Sequence, residues 1–540
     1  MTSLNSPSRT RESTDNLLEQ HGCHLEDGNT VCWNDDSKDH PRNWSLFAKC
    51  YTTVVICWVE LYMTGISSAG VSFILPLCTM TASLIKLKTA ASNSARMEYD
   101  MSRTLGVFAF VTMYLLGQTV GGIVCSPISE TFGRRTLYIV ASAMFCIFSV
   151  ITAAVPSSIA VYFGRFFQGL AAAVPACVAF GSIEDMWAAQ IRIWVVYWYT
   201  VSGFVGLVLG PIYSSYITQV YGWRVVFYVS AIVAAISTVL SFFMKETKAT
   251  QLLQTKVDAI HSKTGRDDLN GPSSSEGFSV KSFVKDSLFR PLQFLATEPI
   301  VFFCSALCAI AFGLIYGLTE GLTVSYTNPP FDNTFSETSS SLAFIAILVG
   351  ILLDILPRFY DDYLFRKFRK EHRRLVPETK IRSFALACPA LAIGLWIFAW
   401  TIPPRVTNVH WIVSMIGLVF VGFATADLSY VLFGYCTDSY GQYAASAVSS
   451  LSTTRTIAAA VFPLFSYQMF SGLGANIAAT ILAAVATLFA FTPIVFLKYG
   501  RTLRKKSKVA ADDEDCLAEE NKHMDNDSDG KDAEKSSENV

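Results

Sequence analysis

The chain has 540 residues, 52% of them apolar and only 16% charged, with a mean hydropathy of +0.39. Soluble domains carry about 25% charged residues, so an ordinary soluble globular protein is excluded. The formal net charge of −1 excludes recognition of nucleic acid through bulk charge.

Residues 1–47 are polar, rich in Ser, Asn and Asp, and read as a disordered cytosolic arm. Trp44 stands where an interfacial anchor would precede a first span. Asn43-Trp44-Ser45 is a formal glycosylation sequon, expected to stay unused on a cytosolic arm. No cleavable leader is expected, because the first apolar run is long enough to cross a bilayer. Runs of span length lie at about Lys49–Leu77, Arg103–Val124, Thr136–Val155, Ile159–Phe180, Ile193–Ile217 and Trp223–Met244. A hydrophilic stretch, residues 245–298, then divides the chain and reads as a cytosolic linker. Six more runs lie at about Pro299–Tyr326, Leu342–Tyr360, Ser383–Ile402, Val409–Phe433, Ala444–Phe470 and Ala475–Leu497. Residues 499–540 form an acidic, polar tail, expected to be disordered.

Two apolar halves of similar size predict an all-α membrane protein built from paired six-span repeats, with bundles over 48–244 and 299–498. Basic residues crowd Arg358–Arg382 and Arg501–Lys508, while the loops between spans three and four, five and six, and eleven and twelve nearly lack them. That alternation puts both termini in the cytosol. The loop Leu77–Arg103, with Lys86, Lys88, Arg96 and Arg103, fits the pattern poorly. The 13 cysteines are scattered, mostly inside apolar runs, with no metal-type CxxC pair and no dense disulfide framework. No metal or cofactor is expected. No nucleotide-binding Gly-rich loop with Lys, no HExxH and no nucleophile elbow stands in a plausible context, so an enzyme is not expected.

Four stretches carry candidate mechanism. Ser126–Arg135, SPISETFGRR, must be a very short turn between spans two and three. Its Arg134 and Arg135 either only fix topology or join Glu130 in a charge latch beside the flexible Gly133. In span four, Arg165, Gln168 and Gly169 share one helical face. A guanidinium there either faces an internal polar cavity or snorkels to the interface. Span five carries Gly203, Gly206, Gly210 and Pro211, glycines on one face that allow close helix approach and a proline that permits a bend. Acids at membrane depth are Glu60, Glu320, Asp354 and Asp427, each costly when ionised unless paired, protonated or facing a cavity. Glu60 and Glu320 rank first as cavity groups. Asp354 also reads as an interfacial charge beside Arg358, and Asp427 has no basic neighbour in sequence.

The Ser126–Arg135 turn, Arg-Phe-Phe-Gln-Gly in span four and Gly206-Leu-Val-Leu-Gly210-Pro211 in span five resemble the major facilitator superfamily. YGLTEGL around Glu320 and YCTDSYGQYAASAVSSLSTTRTIAAAVFPLF, Tyr435–Phe465, are similar to its fungal twelve-span drug:proton antiporters. The likeness runs from about Trp33 to Lys508, with Ser126, Ser214 and Ser215 departing from the usual glycines. It implies a major facilitator fold, with 12 transmembrane helices in two six-helix bundles around a central cavity. It implies proton-coupled efflux of drugs, fungal secondary-metabolite toxins or polyamines by alternating access. A proton-coupled uptake carrier for a nutrient or polyamine is the alternative. Arg165 and Gln168, with the acids Glu60, Glu320 and Asp427, would then bind substrate or couple protons. Glu130 with Arg134, and Asp185 near Arg192, would be charge latches. Gly133, Arg135, Gly206, Gly210, Pro211, Asp438 and Arg455 would serve gating. The expected partners are a small molecule, protons and the bilayer, around a monomer. The expected site is the plasma membrane, with the vacuolar membrane as alternative.

Overall fold

The structure is a computed structural model that describes residues 18–19, 22–26, 30–34, 36–70, 95–264, 271, 290–326, 337–370, 381–403, 409–440, 444–494, 496 and 498. Eleven of its helices are long and apolar enough to cross a membrane. A further 29-residue helix, Ala444–Gly472, brings the long helices among the described residues to twelve. Its composition explains why hydropathy passes it over: it is rich in Ser, Thr and Ala and lies between spans seven and two rather than wholly in lipid. Numbering by span, the first six are Leu46–Ala69, Arg103–Phe132, Arg134–Ala154, Ser158–Met186, Ala189–Tyr221 and Trp223–Phe242. The last six are Pro299–Tyr326, Ser341–Lys370, Ile381–Thr401, Trp411–Tyr440, Ala444–Gly472 and Ala475–Phe489.

The packing repeats with a period of six spans. Span one packs on five, two on four and three on six; likewise seven packs on eleven, eight on ten and nine on twelve. The bundles meet where span two crosses eleven and where span five crosses eight, a pair of contacts related by the same repeat. Large apolar side chains such as Ile147, Phe163, Ile232, Ile393 and Leu488 stay exposed on the outer surface. In water that surface would drive aggregation; in a bilayer it is solvated by lipid tails.

Local chemistry sets the helix ends. Ser45 caps span one, its hydroxyl accepting from the Ala48 N–H at 3.4 Å. Spans two and three, and five and six, join through single glycines, Gly133 at φ 83° and Gly222 at φ 88°. Only glycine adopts that backbone without strain, so these connections are as short as the chain allows. Span two opens with Arg103–Val107 and then widens into a π-helical turn, Phe108–Thr112, before Met113–Phe132. Span eight breaks at Asp354, between Phe344–Leu353 and Ile355–Lys370.

The arm expected to be disordered is not wholly so, and the linker carries regular structure. Within the arm, Cys23–Glu26 and Thr30–Trp33 pair as an antiparallel hairpin. Within the linker, Ala249–Thr264 is a helix, as is Arg290–Thr297. Hairpin and linker helix bury Leu18, Cys23, Val31, Leu253, Val257 and Ile260 in a small satellite core. Burial raises the Cys23 thiol pKa, against the opposing pull of Lys256. Lys256 lies over the Trp33 ring at 4.7 Å and pairs with Asp39 at 2.6 Å. Trp44 is buried against the main core, its indole N–H donating to the Asp39 carbonyl at 3.1 Å. The tail 499–540 lies outside the described residues. In the first loop, Glu98 pairs with Arg224 of span six at 2.6 Å and accepts from the Trp223 indole at 2.9 Å, so it offsets a cation outside that loop. Burial would raise the Glu98 pKa, but those two donors outweigh it and hold the carboxyl below its ordinary value.

Candidate substrate chamber

Between the bundles lies a chamber of about 720 Å³, counting the space through which it opens to solvent. Glu60, Gln118, Tyr199 and Phe204 line it from one half; Phe312, Tyr316, Phe433 and Arg455 line it from the other. The halves touch around it. The Ser67 and Tyr316 hydroxyls are 2.8 Å apart, as are those of Thr119 and Thr456. Phe180 stacks flat on Phe433, with centroids 5.5 Å apart and planes 5° off parallel, and Phe204 meets Phe312 at 5.4 Å. These are contacts between bundles, so opening the chamber to either side must break those at the end that opens.

Two charged side chains are among the chamber's lining residues. Glu60 is nearly buried and accepts from the Thr64 hydroxyl at 3.3 Å. Arg455 lies over the rings of Phe312 at 4.6 Å and Phe433 at 5.2 Å. Glu320 sits on span seven, but its side chain lies outside the described residues, as do those of Glu130 and Asp438.

Arg165 and Gln168 do not line this chamber. Arg165 is fully buried, and its guanidinium is consumed by acceptors. It donates to the Phe110 carbonyl through Nε at 2.7 Å and Nη2 at 2.5 Å, to the Ile66 carbonyl at 3.1 Å, to the Ser67 carbonyl at 3.3 Å and to Gln168 Oε1 at 3.1 Å. Gln168 in turn donates to Ser149 at 3.1 Å. The π-helical turn supplies the Phe110 carbonyl, since such a turn diverts backbone acceptors from the regular helical ladder. The side chain expected to face a polar cavity thus ties spans one, two and four together, and Gln168 adds span three.

At the turn between spans two and three, Arg134 pairs with Asp185 at 3.3 Å. Arg192 pairs instead with Glu184 at 2.5 Å, so the expected Asp185–Arg192 latch is not the one formed. Sequence reasoning missed Glu246. Its carboxylate accepts from the backbone N–H of Arg134 at 2.9 Å and of Arg135 at 3.0 Å, capping the positive end of span three. Arg135 donates to the Phe242 carbonyl at 2.6 Å, so the end of span six is bound twice to this turn.

Asp427 is also away from the chamber. It is fully buried and pairs with Arg358, which is fully buried too. Arg358 further reaches Asp361 at 3.0 Å and Asp354 at 3.7 Å, and lies over the Tyr430 ring at 3.9 Å. Asp354 is the neighbour of Arg358 that spacing suggested, and both side chains are buried within the bundle.

The span-five glycines face span one. A Cβ at Gly206 would fall on the Leu61 carbonyl, and one at Gly210 on the Gly65 carbonyl. Pro211 continues the same helix. Gly206→Val is expected to cost about 1–3 kcal/mol by overpacking. Gly434→Ala, where an added Cβ meets nothing within 4 Å, is expected to be neutral or mildly stabilising. Thermal melts of the purified variants, read by size-exclusion chromatography, check the contrast.

Residues 61–463 match the Major Facilitator Superfamily. The chain is 29% identical over 478 residues to a Candida glabrata protein described as multidrug transporter TPO1_2, covering 87% of this chain and 78% of that one. It is 30% identical over 419 residues to a Gibberella moniliformis protein described as efflux pump FUB11, covering 76% and 68%. Among solved structures, the MFS proton:xylose symporter XylE superposes with a TM-score of 0.55 at 16% identity, covering 84% of this chain and 97% of that one. That level of identity speaks to fold alone. Sequence match, repeat packing and an inter-bundle chamber agree: this chain is a multi-pass membrane transporter of the Major Facilitator Superfamily.

Proposed function

We propose that the protein exports small organic molecules in exchange for protons, by alternating access of the chamber to the two sides of the membrane. It acts as a monomer in the plasma membrane with both termini cytosolic. One observation carries the reading: an inter-bundle chamber that holds Glu60 amid aromatic rings. Among the described residues Glu60 forms no ion pair and has the Thr64 hydroxyl at 3.3 Å as its donor, so its ionised form is costly at this depth. Glu60 therefore exchanges a proton for cargo as the chamber changes sides. The printed descriptions of the relatives as multidrug transporter and efflux pump support the outward direction.

Glu60→Gln tests the reading. The amide keeps the shape and the Thr64 contact but carries no exchangeable charge. In vesicles with an imposed pH gradient, the variant is expected to lose at least about tenfold of gradient-driven azole transport, the equivalent of about 1.4 kcal/mol in coupling. Expression and melting temperature should stay unchanged. Undiminished gradient-driven transport would remove Glu60 from the mechanism. Accumulation into cells rather than depletion would reverse the direction and favour an uptake carrier.

A further inference from the structure

Resting on that reading, we infer that the cargo is amphoteric: an aromatic molecule presenting a cationic group to Glu60 and an anionic group to Arg455. The two residues come from opposite bundles, span one and span eleven, and line the same chamber. They form no ion pair with each other, and among the described residues Arg455 has no hydrogen-bond or ion-pair partner. Its Nε is buried and unbonded. Phe312 and Phe433 cover the guanidinium through cation–π contact, which offsets part of its desolvation but leaves its N–H edge unused. That planar edge matches a carboxylate or another planar oxyacid.

Cargo of a single charge satisfies only half of this arrangement. A purely cationic molecule would bind Glu60 beside an uncompensated guanidinium. A purely anionic one would share the chamber with the Glu60 carboxylate. A proton on Glu60 would then tighten its binding, the wrong sign for exchange. With an ammonium on Glu60, the proton and the cargo compete, which is the sign antiport needs. The titratable groups that interact electrostatically with Glu60 are Cys57 on its own helix, Tyr114, Tyr138, Cys177, Tyr199, Tyr316 and Arg455. Thiols and phenols are ordinarily neutral at pH 7, so Arg455 is the fixed positive charge in this set. The aromatic walls, Phe180, Phe204, Phe312, Tyr316 and Phe433, suit a flat ring beside the two charged groups.

Four matched indoles test this by equilibrium dialysis on the full-length purified protein: tryptophan, tryptamine, indole-3-acetate and 3-methylindole. Tryptophan is expected to bind at least about tenfold tighter than each of the other three. In Glu60→Gln its advantage over indole-3-acetate disappears and its advantage over tryptamine remains. In Arg455→Gln the reverse holds, and Arg455→Lys restores part of the loss. Lowering the pH should weaken tryptophan binding in the wild type but not in Glu60→Gln. Equal ranking of the four, no tryptophan binding, or variants that change all four ligands alike would overturn the inference; the last outcome would mark the two residues as a gate. A variant that aggregates is replaced by the pH series on the wild type, where flat tryptophan binding overturns the inference. Gradient-driven efflux of an uncharged azole that persists while the ranking fails would leave the exporter reading intact. Absence of any gradient-driven efflux, with the ranking present, would remove that reading and leave the site.

Discussion

Arg165→Ala is expected to yield a protein that fails to fold or melts far below the wild type, not a stable carrier with a silent proton site. The guanidinium is fully buried and donates to the carbonyls of Phe110, Ile66 and Ser67 and to Gln168. Truncation leaves those acceptors without donors at a depth where water cannot replace them. Each orphaned buried acceptor costs about 1–3 kcal/mol, so three or more approach the whole stability of a typical protein, about 5–15 kcal/mol. Rings packed against the charge, Tyr114 at 4.6 Å and Phe227 at 5.6 Å, lose their partner as well. Arg165→Lys keeps the charge but not the planar fork, so it should recover only part of the loss. Melting temperature in detergent and delivery to the cell surface are the measurements. A monodisperse, thermally normal Arg165→Ala protein that merely fails to transport would refute the stapling role and return this residue to proton coupling.

What was legible in the sequence follows from what each signal depends on. Span length, the six-and-six division and the burial of Glu60 depend on local composition, and all can be read from runs of apolar residues. The partners of Arg165 could not be read so. They are backbone carbonyls, one presented by a π-helical turn, and carbonyls carry no residue-specific mark. Arg358 and Asp427 are 69 positions apart, and only the packing of span eight on span ten brings them together. Glu246 likewise reaches Arg134 across 112 positions. The linker helix was within reach. Leu253, Val257 and Ile260 recur at helical spacing in an otherwise polar stretch, and that stripe is what the hairpin covers.

Arg358→Met is expected to destabilise the C-terminal bundle by about 3–5 kcal/mol, the usual effect of removing one side of a buried ion pair. The cluster has one guanidinium among Asp354, Asp361 and Asp427, and the first and last of these are buried to 1% and 0% exposure. Without Arg358 those carboxyls lose their cation, and Tyr430 loses the charge stacked on its ring. Asp427→Asn should cost less, because Asp354 and Asp361 still face the guanidinium. The double variant Arg358→Met/Asp427→Asn removes both charges at the closest contact. It should therefore be more stable than Arg358→Met alone, with a coupling of about 0.5–3 kcal/mol. The cluster also borders the contact between bundles. Phe359, next to Arg358, meets Trp194 of span five at 5.0 Å, and the Tyr197 hydroxyl donates to the Leu352 carbonyl at 3.4 Å. Disordering span eight beyond its break at Asp354 therefore loosens one of the two seams on which the halves rock. A melt series across the wild type, both single variants and the double variant decides the point. Additive single effects, or an Arg358→Met protein as stable as wild type, would mean that the four side chains do not act as one buried unit.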